Sequence, residues 1–328
     1  MTNSPFVDSI FEISTDEEFR EMCLKIFNFQ YTNLPVYRKF CDLLSINVSR
    51  IRHEAEIPFL PIQFFKTHKI VSAGASSNIV FTSSGTTGQI TSRHYVADIT
   101  LYERAFLSIF HQFYGDPREY IFLALLPSYL EREGSSLIYM VQKLIEKSGH
   151  EESGFYLHNL KELSHKLREL DSSGKKIILL GVSYALLDLI EEQKFSLQNT
   201  IVMETGGMKG KRKEMVKEEL HAILREGFGV PAIHSEYGMT ELLSQAYSNG
   251  GGIFGCPPWM KILTRNPEDP LTLVEGKTGG INVIDLANIN SCSFIATQDL
   301  GVVYPDNSFE IKGRFDNSDI RGCNLMVL

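Results

Sequence analysis

The sequence predicts an α/β protein: mixed sheets layered with helices, plus a small β subdomain at the C-terminal end. Three observations carry this. From about residue 76, short apolar runs alternate with amphipathic stretches, the rhythm of a mainly parallel sheet covered by helices. Before that point, apolar residues recur at helical spacing. After residue 249, short strand-like runs separated by turns replace the alternation, as in a small antiparallel barrel or sheet. The chain thus divides into a helical lead over 1–75, an α/β core over 76–248 and a β subdomain over 249–328. Its 328 residues, 43% hydrophobic and 22% charged, can bury a sizeable core, which excludes disorder as the main state.

The elements follow in order. Thr15 with Glu18 forms a capping-box pattern, and Phe19, Met22, Cys23, Ile26 and Phe27 then share one helical face. A second helix starts near Leu34-Pro35, with Pro tolerated in the first turn, and buries Val36, Phe40, Leu43 and Leu44. The run from Ile57 to Lys66 holds two prolines, which forbid a regular helix; it is too apolar for a free linker and should pack on the body. In the core, strands are expected at Asn78 to Thr82, Tyr120 to Leu126, Lys176 to Leu180, Thr200 to Met203 and Pro231 to Ser235. Helices are expected after Asp98, at Ser135 to Lys147, Asn159 to Leu170, Ser183 to Glu192 and Lys209 to Arg225. The stripe of Phe106, Ile109, Phe110 and Phe113 reads as core. The last region offers strands at Leu271 to Val274, Gly280 to Asp285, Ser293 to Thr297, Val302 to Tyr304 and Phe309 to Ile311.

Composition excludes several functions. With 32 Lys and Arg against 40 Asp and Glu, the net charge is −8, which opposes a nucleic-acid surface. Five cysteines, at 23, 41, 256, 292 and 323, form no CxxC, and the nine histidines form no HxxxH or HxH pattern. Neither a disulfide framework nor a resident metal site is indicated. The N-terminus lacks a basic region followed by an apolar one, and the longest apolar stretch, Ile177 to Ile190, is broken by Asp188. A cytoplasmic protein with no membrane span is expected.

Four segments carry chemistry. Thr82-Ser83-Ser84-Gly85-Thr86-Thr87-Gly88 follows a strand and holds five hydroxyls and two glycines, suited to phosphate oxygens. It lacks the Gly-Lys-Ser/Thr of a Walker loop. His234-Ser235-Glu236-Tyr237-Gly238-Met239-Thr240-Glu241 also follows a strand. A ring beside a glycine can stack on a base, and a hydroxyl and carboxylate just beyond can face a phosphate and Mg²⁺. Thr297-Gln298-Asp299-Leu300-Gly301 offers a carboxylate in a turn, suited to ribose hydroxyls. Gly313-Arg314-Phe315-Asp316 offers a guanidinium.

Together and in this order, the four segments resemble the adenylate-forming superfamily of acyl-CoA synthetases, luciferases and peptide-synthetase adenylation domains. A narrower resemblance, to the acyl-protein synthetases of the bacterial luminescence fatty acid reductase system, runs from about residue 15 to the end. It is carried by IPFLPIQFFKTHKI, SSGTTGQITSRHY, METGGMKGKRKEM, HSEYGMTELLSQAY and GRFDNSDIRGCNLMV. It implies ATP-dependent activation of a carboxylic, fatty-type acid as acyl-AMP, then transfer to a cysteine and onward to a reductase-type protein partner. It assigns Ser84, Gly85, Thr86, Thr87 and Gly88 to the ATP phosphates and Gly206 and Gly207 to the adenine pocket. Tyr237 and Gly238 would lie near adenine, Thr240 and Glu241 would hold phosphate and Mg²⁺, Asp299 would bind ribose, and Arg314 would contact ribose or the α-phosphate.

Two departures stand out. The superfamily loop usually continues Pro-Lys; here it continues Gln89-Ile90-Thr91-Ser92-Arg93, and Arg93 is the candidate replacement charge. Superfamily members usually carry a further mobile C-terminal domain with an assisting Lys. This chain ends fifteen residues after Gly313, so it resembles the large domain without that part. The basic run Lys209, Lys211, Arg212 and Lys213 could help but reads first as a solvated helix start. The resemblance makes Cys323, in Arg321-Gly322-Cys323, the acyl acceptor, with Arg321 able to lower its pKa. Cys256, in the Gly/Pro-rich loop that would border the acyl pocket, is the second candidate, and Cys23, Cys41 and Cys292 read as core. His234 reads first as core, with contact to the acyl carboxylate as its alternative. Coenzyme A is the alternative acceptor, as in acyl- and aryl-CoA ligases; a non-catalytic adenylate-binding subunit is the alternative of another class.

Overall fold

The computed structural model describes residues 6–77, 79–83, 90–127, 134–157, 159–208, 211–213 and 215–315. The helix Asp16–Asn33 opens on the predicted capping box: the Thr15 hydroxyl accepts from Glu18 N, and the Glu18 carboxylate accepts from Thr15 N. Its five predicted apolar residues are buried. Gln30, on the same face, donates to the carbonyls of Asn288 and Ile289 at 3.0 and 3.1 Å. That buried amide fastens the lead to the C-terminal sheet.

The helix Pro35–Leu43 buries a different face from the one expected. Leu34, Tyr37 and Cys41 point inward, Val36 and Phe40 are half-buried, and Leu43 is 75% exposed. Tyr37 sets this rotation. Its ring meets Phe27 and Phe294, and its hydroxyl donates to the Pro58 carbonyl at 2.7 Å, so the largest side chain claims the core. The proline-rich run packs as expected: Ile57, Leu60, Ile62 and Phe65 are buried, and β1 (Leu60–Pro61) lies parallel to the C-terminal strand β14 (Phe294–Val303).

β2 (Ile79–Thr82) and β3 (Arg93–Val96) form an antiparallel pair. The central sheet runs β5-β4-β6-β7-β8-β9, from β4 (Ile121–Leu125), β5 (Gly154–Tyr156), β6 (Ile177–Val182), β7 (Thr200–Thr205), β8 (His234–Tyr237) and β9 (Ala246–Ser248). All pairs are parallel except β8 with β9. β4 and β6 are buried along their whole length, as strands covered on both faces must be. Helices Ile99–Tyr114, Ser136–Ser148, Leu160–Ser172 and Ser183–Glu192 match the predicted ones. Helix Lys217–Phe228 starts eight residues later than expected. Val216 is extended, and Arg212 instead reaches back to ion-pair with Asp188 and Glu191 of the preceding helix. Lys209 lies outside the described residues.

The second sheet has the path β10-β15-β14-β13-β11-β12. Its strands are β10 (Ile253–Phe254), β11 (Met260–Arg265), β12 (Leu273–Val274), β13 (Gly279–Asp285), β14 (Phe294–Val303) and β15 (Phe309–Arg314). Two expectations are corrected. β11 was not foreseen, because its Lys and Thr interrupt the apolar alternation directly after two prolines. The two strands expected at 293–297 and 302–304 are one, β14, with a register shift between Leu300 and Gly301. Asp299 therefore stands on a strand rather than in a turn.

Candidate active site

Ligands of open α/β sheets bind beyond the carboxyl ends of the strands. At that edge β7 ends in Thr205 and runs into Gly206 and Gly207, both exposed, with Gly206 at φ +68°. Its neighbour β8 ends in Tyr237 and runs into the exposed Gly238. The Tyr237 hydroxyl donates to Asp299 Oδ2 at 2.8 Å, and Arg314 Nε lies 3.1 Å from Asp299 Oδ1. Asp299 and Arg314 face each other in the β14–β15 register. Three residues predicted from three separate segments thus form one chain of contacts.

The electrostatics suit a polar ligand. Burial pushes the Asp299 carboxyl above its ordinary range, while Arg314, the Tyr237 hydroxyl and Arg265 pull it back. Arg265 is itself buried, which lowers its pKa to about 10, and it donates to the Ile281 and Thr297 carbonyls and to Asn282. It therefore braces β13 and β14 behind Asp299. The Arg314 side chain is 71% exposed, so its guanidinium can still meet an anion.

Thr240 and Glu241 follow Gly238. Glu241 is 5% exposed; burial raises its carboxyl pKa, and the Ser92 hydroxyl bonded to it partly offsets this. Ser92 N donates to Ser83 Oγ at 2.9 Å, and Ser83 N donates back to the Ser92 carbonyl at 3.1 Å. Both ends of the hydroxyl-rich loop are thereby tied beside Glu241. Ser84, Gly85, Thr86, Thr87 and Gly88 lie outside the described residues, as does Cys323.

The turn after Glu241 is held by residues the sequence did not single out. Asp285 accepts from Leu243 N, Ser244 N and Ser244 Oγ at 2.8, 2.9 and 2.7 Å. Asn288 donates to the Glu241 carbonyl at 2.8 Å. His94 Nδ1 lies 2.8 Å from the Thr240 carbonyl, and burial lowers the imidazole pKa to about 4, so the ring is neutral and donates. The sequence signal was there for Asp285 alone: a carboxylate closing an otherwise apolar strand.

Other candidates fall elsewhere. His234 pairs with the Tyr114 hydroxyl at 3.1 Å, under the helix Ile99–Tyr114. Arg93 is exposed at the start of β3. Cys23, Cys41 and Cys292 are buried, and burial raises all three thiols. Cys256 is half-buried, with a thiol also pushed up by burial. Its loop borders a cleft of about 510 Å³ lined by Tyr247, Asn249, Phe254 and Gly255. Phe113, expected in the core, lines that cleft instead. Among the described residues, no group of three or more His, Cys, Asp or Glu could hold a metal ion.

No family model matches the chain. It is 24% identical over 341 aligned positions, 95% of this chain and 88% of the relative, to the long-chain-fatty-acid–luciferin-component ligase of Aliivibrio fischeri. Among solved structures it is similar to 2-hydroxyisobutyryl-CoA ligase in complex with 2-HIB-AMP and CoA in the thioesterification state. That match has TM-score 0.69 and 15% identity, covering 92% of this chain and 68% of the ligase. The open conformation of the same ligase matches with TM-score 0.66 and 12% identity over 92% of this chain and 70% of the ligase. ATP-bound MatB from Rhodopseudomonas palustris matches with TM-score 0.54 and 16% identity, covering 74% of this chain and 49% of MatB. The fold is that of the large domain of adenylate-forming ligases.

Proposed function

We propose that the chain activates a carboxylic acid as acyl-AMP with ATP and transfers the acyl group to a thiol, first of all a protein cysteine. The observation that supports this best is the convergence of Tyr237, Asp299 and Arg314 with Glu241 and the Ser83–Ser92 tie at one sheet edge. In this reading the substrate carboxylate oxygen attacks the α-phosphorus, the bond from that phosphorus to the bridging oxygen breaks, and pyrophosphate leaves. Asp299 accepts from ribose hydroxyls, Tyr237 flanks the base, and Arg314 steadies charge on the α-phosphate. The 84–88 loop and Thr240 donate to phosphate oxygens.

Mg²⁺ fits as a companion of the triphosphate rather than a resident ion. Beside the tied ends of the hydroxyl-rich loop stands a buried carboxylate, Glu241, whose pKa is raised by burial and which a cation would satisfy. An Mg²⁺ held by one carboxylate and phosphate oxygens is the usual arrangement. When bound, it would offset charge on the leaving pyrophosphate.

In the second half-reaction a thiolate sulfur attacks the mixed-anhydride carbonyl, a C–S bond forms and AMP leaves. The four described cysteines are poorly suited, since burial raises every thiol. That favours Cys323, the residue the resemblance assigns, with a reductase-type protein as the next acceptor. The second reading, transfer to coenzyme A, is favoured by the likeness to a CoA ligase fold. None of the described helices is long and apolar enough to cross a membrane.

Intact mass after incubation with ATP, Mg²⁺ and a panel of acids, without coenzyme A, tests this. The expected result is an acyl-sized mass gain in wild type, removed by hydroxylamine and absent in Cys323→Ser. AMP release only when coenzyme A is added would instead make the chain a CoA ligase.

A further inference from the structure

Two buried polar side chains at the same sheet edge are left without a full set of partners. Strand register sets Thr205, Glu236 and Tyr247 side by side on β7, β8 and β9. Glu236 is 8% exposed, and among the described residues its hydrogen-bond partner is the Thr205 hydroxyl, which donates to Oε2 at 2.5 Å. Its other oxygen, Oε1, sits under Gly238: a Cβ placed there would come within 2.4 Å of it. The same Cβ would lie 3.4 Å from Gln245 Cγ. Gln245 is 4% exposed, and its Oε1 has no hydrogen-bond partner among the described residues. The Glu236 carboxylate and the Gln245 side chain thus meet beneath the glycine that follows Tyr237.

The neighbouring carboxylate shows what a satisfied one looks like here. Glu204, one residue before Thr205, meets Lys217 at 2.7 Å, Ser183 Oγ at 3.2 Å and His221 at 3.5 Å. It faces the helix Lys217–Phe228, with Ser235 beside it. Glu236 points to the other face of the sheet, among Tyr102, Tyr114 and Tyr247, and feels Lys217 only as a charge at a distance, with no ion pair among the described residues. Buried polar groups are ordinarily paired, so an exception at a ligand-binding edge calls for a ligand.

Resting on the adenylation reading, we infer that Glu236 and Gln245 form the polar end of the acyl-binding site. They select a carboxylic acid whose chain carries a hydrogen-bond donor, a hydroxyl or an amine, over a plain alkyl acid. Tyr237, Asp299 and Arg314 occupy one side of the end of β8 and would take the nucleotide. Glu236 lies on the opposite side of the same strand end, where the acid remains to be placed. Gln245 Oε1 and an ionised Glu236 carboxylate both accept, so the matching group on the acid donates. Burial above all pushes the Glu236 carboxyl up to about 7, with the Glu204 charge adding to the rise, despite the Thr205 bond and the Lys217 charge. A donor on the substrate would stabilise its charged form, whereas hydrocarbon would leave Gln245 Oε1 unpaired. Sites built to bond a substrate hydroxyl or amine reject analogues lacking it strongly.

The test is acid-dependent ATP–pyrophosphate exchange with straight-chain acids from propanoic to dodecanoic, each beside its hydroxy- and amino-substituted counterparts. The expected result is kcat/KM at least about tenfold higher for a donor-bearing acid than for its plain analogue. Glu236→Leu and, separately, Gln245→Met should shrink or reverse that ratio; thermal melting identifies any variant that fails to fold, and the wild-type ratio stands without them. Equal or better exchange with plain acids overturns the inference and leaves adenylation standing. No exchange with any acid, together with no ATP binding by calorimetry, overturns the adenylation reading and the inference with it.

Discussion

Individual carboxylates in this protein differ more through their surroundings than through their chemistry. Glu204 and Glu236 lie one register position apart across paired strands and are both buried. Burial pushes Glu204 up, but Lys217 and the bonds from His221, Lys217 and Ser235 bring it down to about 2. Glu236 has no direct bond to Lys217, and burial raises it to about 7 from its ordinary 4.5. A carboxyl raised on folding lends stability fully present below the unfolded pKa and lost as pH rises through the folded one. Wild-type stability should therefore drop between pH 4.5 and just above 7, by up to roughly 3 kcal/mol from this group. Glu204 is ionised in the folded state throughout that window, and its opposite slope, from protons the unfolded chain still binds, fades within about a unit above pH 4.5. Urea midpoints of wild type and Glu236→Gln across this range check it: the variant should show the shallower fall, and parallel profiles would contradict the assignment. The residues of the ordered motifs were legible in the sequence because each motif is local. Arg265 and His94 were not, since their partners lie far along the chain.

At the scale of elements, helices read well because capping and period are local signals: Thr15 with Glu18, Asp98 with Thr100, and Ser135 with Ile138 all form as caps. The C-terminal sheet read less well. Gly301 looked like a turn residue but sits at a bulge inside β14, where a Cβ would approach the Glu310 carbonyl to 2.3 Å. Glycine there allows β14 and β15 to lie close enough to keep Asp299 opposite Arg314. The same misreading broke β14 in two and hid why the carboxylate is held so firmly. Gly301→Ala should cost at least about 2 kcal/mol, since the obstacle is backbone rather than a flexible side chain. It should also weaken ATP binding by shifting the Asp299–Arg314 pair, as calorimetry can measure. Unchanged melting and ATP affinity would show that the bulge is not needed.

For the whole molecule, the predicted α/β class and parallel sheet emerged from alternation alone, and the four segments emerged in the right order to meet in space. The sequence could not reveal how the lead joins the second sheet, through Gln30 and β1, because those contacts span more than two hundred residues. If this assembly makes an acyl-adenylate, as proposed, Glu241 is its essential carboxylate. Acid-dependent ATP–pyrophosphate exchange in wild type and Glu241→Gln, with both proteins shown to be folded, tests this. Exchange in wild type is expected to need acid and Mg²⁺ and to fall at least about a hundredfold in the variant. Exchange that survives in Glu241→Gln would contradict the magnesium assignment, and wild type that exchanges with no acid would contradict the function itself.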